Sequence, residues 1–109
     1  MKIAVTSQNR KTVTPHAGVC RNFWIYTVES QQITDKQLLE LSKDQSFHNS
    51  KTAGPLVEMV DVLLTAGMGN GLPQRLARYG VEALVTHETD PTAAVTHYLE
   101  SSKQTQASA

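Results

Sequence analysis

The length, composition and charge of the chain limit the kind of protein that it is. With 109 residues, of which 39% are hydrophobic, the chain can build one compact domain with its own core. Its 10 basic residues balance its 10 acidic ones, which argues against a dedicated nucleic-acid binder, because phosphate contacts require a basic excess. Cys20 is the only cysteine, so an intrachain disulfide and a zinc site of several thiolates are excluded.

Hydropathy along the chain gives no sign of a membrane segment. Nowhere do about eighteen consecutive apolar residues occur, and the apolar run within 1–6 is too short for a signal peptide. We therefore expect a soluble cytoplasmic protein without a membrane or nucleic-acid partner. Its single domain should cover residues 1–100, followed by a flexible tail over 101–109 that has nothing to bury.

The first half of the chain has the pattern of antiparallel β-structure. Residues 2–7 predict a short buried strand, and the aromatic and β-branched residues of 23–28 give the strongest strand signal in the chain. Residues 29–32 should form the turn after it. Residues 42–52 are polar, and a short helical segment is predicted over 55–59.

The segment 33–41 is ambiguous. Thr34 and Gln37 fit a helical capping box, whereas the same stretch suits an edge strand with Leu39 and Leu41 facing inward. We prefer the strand.

The second half alternates strands and helices. Residues 60–66 predict a buried strand, 67–71 a tight loop, 72–79 a helix and 82–87 another strand, and Asp90 with Pro91 opens a second helix. Such a β-α-β unit requires parallel strands. The residues expected to face the core from the two helices are Leu72, Leu76, Tyr79, Ala94, Val95, Tyr98 and Leu99.

Two further residues mark the ends of the first helix. Pro73 suits its first turn, and Gly80 suits the C′ position after it. Together the two halves predict an α/β domain with a five-stranded mixed sheet. If the first strand lies between the strands of 23–28 and 60–66, four loops meet at one edge of the sheet, where ligands of α/β proteins bind. These loops are Ser7–Arg10, His16–Arg21, Gly67–Gly71 and His87–Asp90.

The glycine-rich loop has two readings. It lacks the third glycine of a dinucleotide fingerprint, since Leu72 stands there, and it lacks the lysine of a phosphate-binding P-loop. Its glycines therefore either make a tight turn or let the backbone approach an anion. Met68 is either a packed side chain or a thioether ligand.

Metal-ligating residue types occur in the first of these loops. His16 and Cys20 are separated by three residues, and imidazole and thiolate both bind iron, zinc and copper. Each has an alternative role, a loop-stabilising hydrogen bond for His16 and an inert buried position for Cys20. His87 is a third metal candidate by position, while His48 and His97 are expected to face solvent.

Support for catalysis is thin. The first strand carries no carboxylate, and no spacing suggests a nucleophile with its base, so an enzyme is the less favoured class. Arg75 and Arg78 either solvate the outer face of the helix or contact an anionic ligand.

A set of short motifs resembles a known family. The chain is similar, from Lys2 to about Leu99, to the dinitrogenase iron-molybdenum cofactor biosynthesis family, of the NifX and NifB carboxy-terminal type. The resemblance implies a ribonuclease-H-like α/β domain of three layers, which holds an iron–sulfur-based cofactor or its precursor and performs no nuclease chemistry. The segments that carry it are Pro15–Gly18, Phe23–Tyr26, Val60–Leu64, Ala66–Gly71 and Tyr79–Val81.

The resemblance also assigns residues. The histidine of the family's His-x-Gly motif corresponds to His16, and the glycine-rich loop on the cofactor side corresponds to residues 67–71, with Ala66 where a glycine is expected. Cys20 is an addition to the usual pattern that would strengthen cluster binding. Together with residues chosen by their place in the predicted loops, this gives His16, Cys20 and His87 as expected metal ligands. The expected cofactor-binding residues are Gly67, Met68, Gly69, Asn70, Gly71 and Arg21.

Two classes of function follow. The first is a carrier of an iron–sulfur cluster or iron-molybdenum cofactor precursor, whose partners are a donor or acceptor protein, with a homodimer allowed by the single cysteine. The second is a binding module for a phosphate-bearing small molecule or a protein, without metal.

Overall fold

Five strands form one mixed sheet in the computed structural model of the chain, which describes residues 1–50 and 53–108, the side chains of 102–108 excepted. The strand order is β3-β2-β1-β4-β5, with β1 antiparallel to β2 and parallel to β4, and β4 parallel to β5. The predicted sheet and the central position of the first strand are therefore confirmed. The strands are β1 (Lys2–Thr6), β2 (Asn22–Glu29), β3 (Gln32–Glu40), β4 (Val62–Thr65) and β5 (Glu82–Val85).

Two α-helices and two 3₁₀ turns complete the fold of the described residues. The helices are α1 (Leu72–Ala77) and α2 (Pro91–Ser108), and the 3₁₀ turns are Lys43–Gln45 and Pro55–Glu58. Residues 51 and 52 of the predicted polar segment lie outside the described residues, as do the side chains of most of the predicted tail. Within the described part of the chain, neither helix is long and apolar enough to cross a membrane.

A tight hairpin turn decides the ambiguous third segment in favour of a strand. Ser30 and Gln31 have φ values of 52° and 67°, the left-handed pair that a type I′ turn requires. The turn places β3 antiparallel to β2, and the Lys36 ammonium lies 4.4 Å from the centre of the Trp24 ring across the two strands. The predicted edge strand is confirmed, and the capping-box reading is wrong.

The central strands of the sheet are buried on both faces, so the domain has three layers. Ile3 and Val5 belong to one core, which α2 covers with Ala94, Val95 and Leu99, while Ala4 between them belongs to the other. Leu72 and Leu76 of α1 pack in that second core with Phe23, Leu63 and Phe47. Burial of each large apolar side chain contributes about 1.5–3 kcal/mol, which holds both layers to the sheet.

The end of α1 follows from one glycine. Gly80 has a φ of 79°, its N–H donates to the Ala77 carbonyl at 3.0 Å, and the next N–H, from Val81, donates to Leu76 at 3.1 Å. These two bonds form a Schellman motif with Gly80 at C′, as predicted. Tyr79 stands at the helix terminus and is 45% exposed, so the expectation that it faces the core is wrong.

Candidate functional site

Two buried threonines hold the loops at the carboxyl ends of β1 and β4. The Thr6 hydroxyl lies 2.6 Å from the Thr14 carbonyl and 2.9 Å from the Thr65 hydroxyl. The Thr65 hydroxyl in turn lies 3.1 Å from the Gly67 carbonyl and accepts the Gly67 N–H at 3.3 Å. Both threonine residues are fully buried, so these bonds are sheltered from water and fix the two loops against each other.

Three of the predicted loops meet at this edge. The Ala17 N–H donates to the Gly67 carbonyl at 3.1 Å, and the Val13 N–H donates to the Thr89 carbonyl at 2.8 Å. A Cβ added at Gly67 would lie 3.3 Å from the Cβ of Pro15, so the close approach of the loops favours glycine there. The β1–β2 loop thus touches both the β4–α1 loop and the β5–α2 loop. The predicted convergence is confirmed for His16–Arg21 and Gly67–Gly71, whereas the contact to the β5–α2 loop is made by Val13, outside the predicted segments.

The residues His16 and Cys20 line one pocket at this edge of the sheet, which has a volume of about 430 Å³. His16 is exposed and has a φ of 63°, a left-handed conformation that histidine adopts more readily than most residues. Cys20 is only 2% exposed, so it forms part of the pocket floor. The remaining lining residues are Gln8, Thr14, Pro15 and Val19.

The surroundings of Cys20 favour the protonated thiol. Its S–H donates to the Asn22 carbonyl with a sulfur–oxygen distance of 3.1 Å. Burial raises the pKa of the thiol and outweighs the nearby hydrogen bonds that lower it. Cys20 can bind a metal only if the metal displaces this proton.

The glycine-rich loop has one packed side chain and an open backbone. Met68 is half-buried and packs against the core of α1, while Gly69, Asn70 and Gly71 are exposed. The backbone N–H groups of 68–71 donate to no other group among the described residues. The loop can therefore offer several donors to an anion, as one of its two sequence readings requires.

Arg21 and His87 lie apart from this loop. The Nε of Arg21 donates to the Leu41 carbonyl at 3.2 Å and ties the start of β2 to the end of β3. His87 lines a separate pocket of about 350 Å³ with His97 and Tyr98, between β5 and α2. No three His, Cys, Asp or Glu side chains are grouped to hold a metal ion within the described parts of the chain.

His48, which was expected only to face solvent, and Arg75, for which contact with an anionic ligand was one of two alternatives, line a pocket of about 370 Å³ next to Gly69 and Gly71. The His48 N–H donates to the Gly18 carbonyl at 2.7 Å, and the Arg75 guanidinium donates to the carbonyls of Phe47 and Ser50. These bonds join segments far apart in sequence. No local pattern in the sequence could have indicated them.

The fold and the loop cluster define an α/β domain that presents histidine, cysteine and open backbone donors at one edge of its sheet. The sequence profile of the family described as "Dinitrogenase iron-molybdenum cofactor" matches residues 1–101, and the chain belongs to this family. The resemblance found in the sequence is thus confirmed. No curated protein is significantly similar to the chain in sequence.

Solved structures share the fold at low sequence identity. The crystal structure of PH0822 is similar with a TM-score of 0.73 and 15% identity, covering 93% of this chain and 92% of the other. A protein of Methanocaldococcus jannaschii named "putative dinitrogenase" gives 0.69 and 12%, covering 93% and 89%. A Thermotoga protein named "putative NifB protein" gives 0.66 and 18%, covering 91% and 87%.

Proposed function

We propose that this chain binds and carries an iron–sulfur-based cofactor, or a precursor of the iron-molybdenum cofactor, in the pocket of His16 and Cys20. The observation that carries the proposal is the placement of both soft-metal ligands on one pocket formed by the β1–β2 loop. Membership of a family described by the iron-molybdenum cofactor supports the choice of cargo.

The residues present suit a preassembled cluster better than a bare metal ion. A bare ion in a structural site needs about four protein ligands, and this pocket offers the His16 imidazole and, after loss of its proton, the Cys20 sulfur. A cluster brings its own sulfide ligands, so few protein ligands suffice to attach it. The chain would hold such a cargo reversibly, as a carrier must.

The neighbouring loops supply polar contacts for the same cargo. The free N–H groups of 68–71 would donate to the sulfides of an anionic cluster. Arg21 uses its Nε on Leu41 and keeps its other guanidinium donors for the cargo or for a partner protein. His87 would join as a ligand only if the β5–α2 loop moved toward His16.

The same proposal includes a ribonuclease-H-like fold and a partner protein. A ribonuclease-H-like assignment is compatible with a sheet in which β2 is antiparallel to the central β1 and β4 is parallel to it. The strand β1 carries no carboxylate, which agrees with a binding role. We propose a cytoplasmic carrier that exchanges its cargo with a donor or acceptor protein, with a homodimer as an allowed state.

Substitution of the two proposed ligands tests the assignment. His16→Asn removes the imidazole but keeps a residue that tolerates a φ of 63°, and Cys20→Ala removes the sulfur. After anaerobic reconstitution with iron and sulfide, we expect the double variant to bind iron about tenfold less tightly or weaker still, since even second-shell changes cost a metal site 10–100-fold.

The matched control is His97→Asn, which removes an exposed imidazole from α2. Its iron and sulfide content should equal that of the unsubstituted chain. Unchanged iron in the double variant would reject His16 and Cys20 as ligands. Loss of iron in the control as well would show that the iron is bound nonspecifically by histidine.

A further inference from the structure

The pocket of His48 and Arg75 is a separate feature of the loop cluster. Gly18 lines this pocket, whereas Val19 lines the other pocket together with the proposed metal ligands. Its volume of about 370 Å³ is ample for a small ligand. Neither Arg75 nor His48 has a part in the proposed cluster site.

The charge in this pocket is positive and is not neutralised. Arg75 is half-buried, and its guanidinium uses two of five N–H donors on the carbonyls of Phe47 and Ser50. Arg10 and Glu40 form the only ion pair in the described part of the chain, so Arg75 has no carboxylate partner there. Among the described residues, no acidic side chain lines the pocket, and His48 adds a nitrogen donor or acceptor.

The glycines of this pocket are not required by the fold. A Cβ added at Gly69 or at Gly71 would meet no atom within 4 Å, and neither residue has a positive φ. Gly67 differs, because its added Cβ would crowd Pro15. At positions 69 and 71, the missing side chains leave the backbone N–H groups open to a ligand in the pocket.

We propose that this pocket binds an oxyanion of the phosphate class. The Arg75 guanidinium supplies the charge, His48 a nitrogen donor, and the backbone of 69–71 the short-range donors that anion-binding loops use. The site goes beyond the proposed cluster binding. It shares the backbone donors of 69–71 with the proposed cluster site, so the two ligands would compete for these donors, but it requires no metal and is therefore tested in the iron-free chain.

Titration of the iron-free chain with inorganic phosphate tests the site, with chloride at equal ionic strength as the reference. The expected result is saturable shifts of the amide NMR signals of Gly69, Asn70 and Gly71. Gly69→Ala should weaken phosphate binding about tenfold, because the added methyl group would occupy the space through which the ligand approaches the backbone N–H groups and would lengthen about one charge-assisted hydrogen bond. Its melting temperature should not change, because the added methyl group meets open space.

Two arginine variants separate a local charge effect from a general one. Arg75→Gln removes the pocket's charge and should weaken phosphate binding about tenfold or more, whereas Arg78→Gln, an exposed position on the next turn, should leave it unchanged. If Arg75→Gln unfolds the chain through loss of its carbonyl contacts, Gly69→Ala remains decisive. The proposal would be overturned if phosphate caused no saturable shifts of the amide signals, or if both arginine variants lost phosphate affinity equally. It would also be overturned if acetate bound saturably in place of phosphate.

Discussion

Gly54→Ala should destabilise the chain by about 3 kcal/mol, which combines the cost of a glycine-only backbone conformation with that of a steric overlap. Gly54 has a φ of 79° and a ψ of 179°, a region that residues with a side chain rarely enter. A Cβ there would lie 2.4 Å from the backbone oxygen of Gln45, an atom that cannot turn away. The segment before the Pro55–Glu58 turn would have to move.

The matched control for this prediction is Gly69→Ala, whose added Cβ meets nothing within 4 Å. Urea denaturation of the two variants measures the difference, and the control should lie within about 0.5 kcal/mol of the unsubstituted chain. Equal stability of the two variants would contradict the tight contact between Gly54 and Gln45. That contact matters for function because the same segment carries His48.

Thr65→Val should cost about 2 kcal/mol, since it keeps the shape of the side chain and removes a buried hydroxyl with several partners. The Gly67 N–H would lose its acceptor, and the Gly67 carbonyl would lose a donor. The link between Thr6 and Thr65 would also be lost. Because these bonds hold the two loops of the site together, the substitution should loosen these loops as well as lower the free energy of unfolding of the whole chain.

Amide hydrogen exchange distinguishes these two effects. In Thr65→Val, the amides of Gly67 and Ala17 should exchange faster than the global loss of stability explains. Thr96→Val is the control, because Thr96 is exposed on α2 and its replacement should change the free energy of unfolding by less than about 0.5 kcal/mol. Uniform acceleration of exchange along the whole chain would contradict a special role of Thr65 in the loops.

Much of the fold could be predicted from residue patterns because its central strands are apolar on both faces. A buried strand is predicted by the run of Ile3, Ala4 and Val5, because its side chains are apolar on both faces of the sheet. Gly80 gives a local signal for the end of α1. The 33–41 segment was ambiguous because its state depends on β2, to which the turn at Ser30 and Gln31 joins it. Tyr79 was misplaced because helical periodicity takes no account of the exact residue where the helix ends.

The site was less predictable, since it depends on contacts between distant segments. The residue types alone indicated His16 and Cys20 as candidate metal ligands, and the structure places both on one pocket. The state of the Cys20 thiol could not be foreseen, because its burial and its hydrogen bond to the Asn22 carbonyl arise only in the folded loop. His48 was missed, and the role of Arg75 was left open, because the two residues become neighbours only when the 46–50 segment folds against Gly18 and α1.

Loading of the unsubstituted chain with iron and sulfide tests the central claim most directly. The chain is incubated anaerobically with ferrous iron and sulfide, separated from small molecules by gel filtration, and assayed for iron, acid-labile sulfide and visible absorption. We expect iron and sulfide to co-elute with the protein in stoichiometric amounts, with the broad visible absorption of an iron–sulfur cluster. A colourless, iron-free protein that remains folded would contradict it.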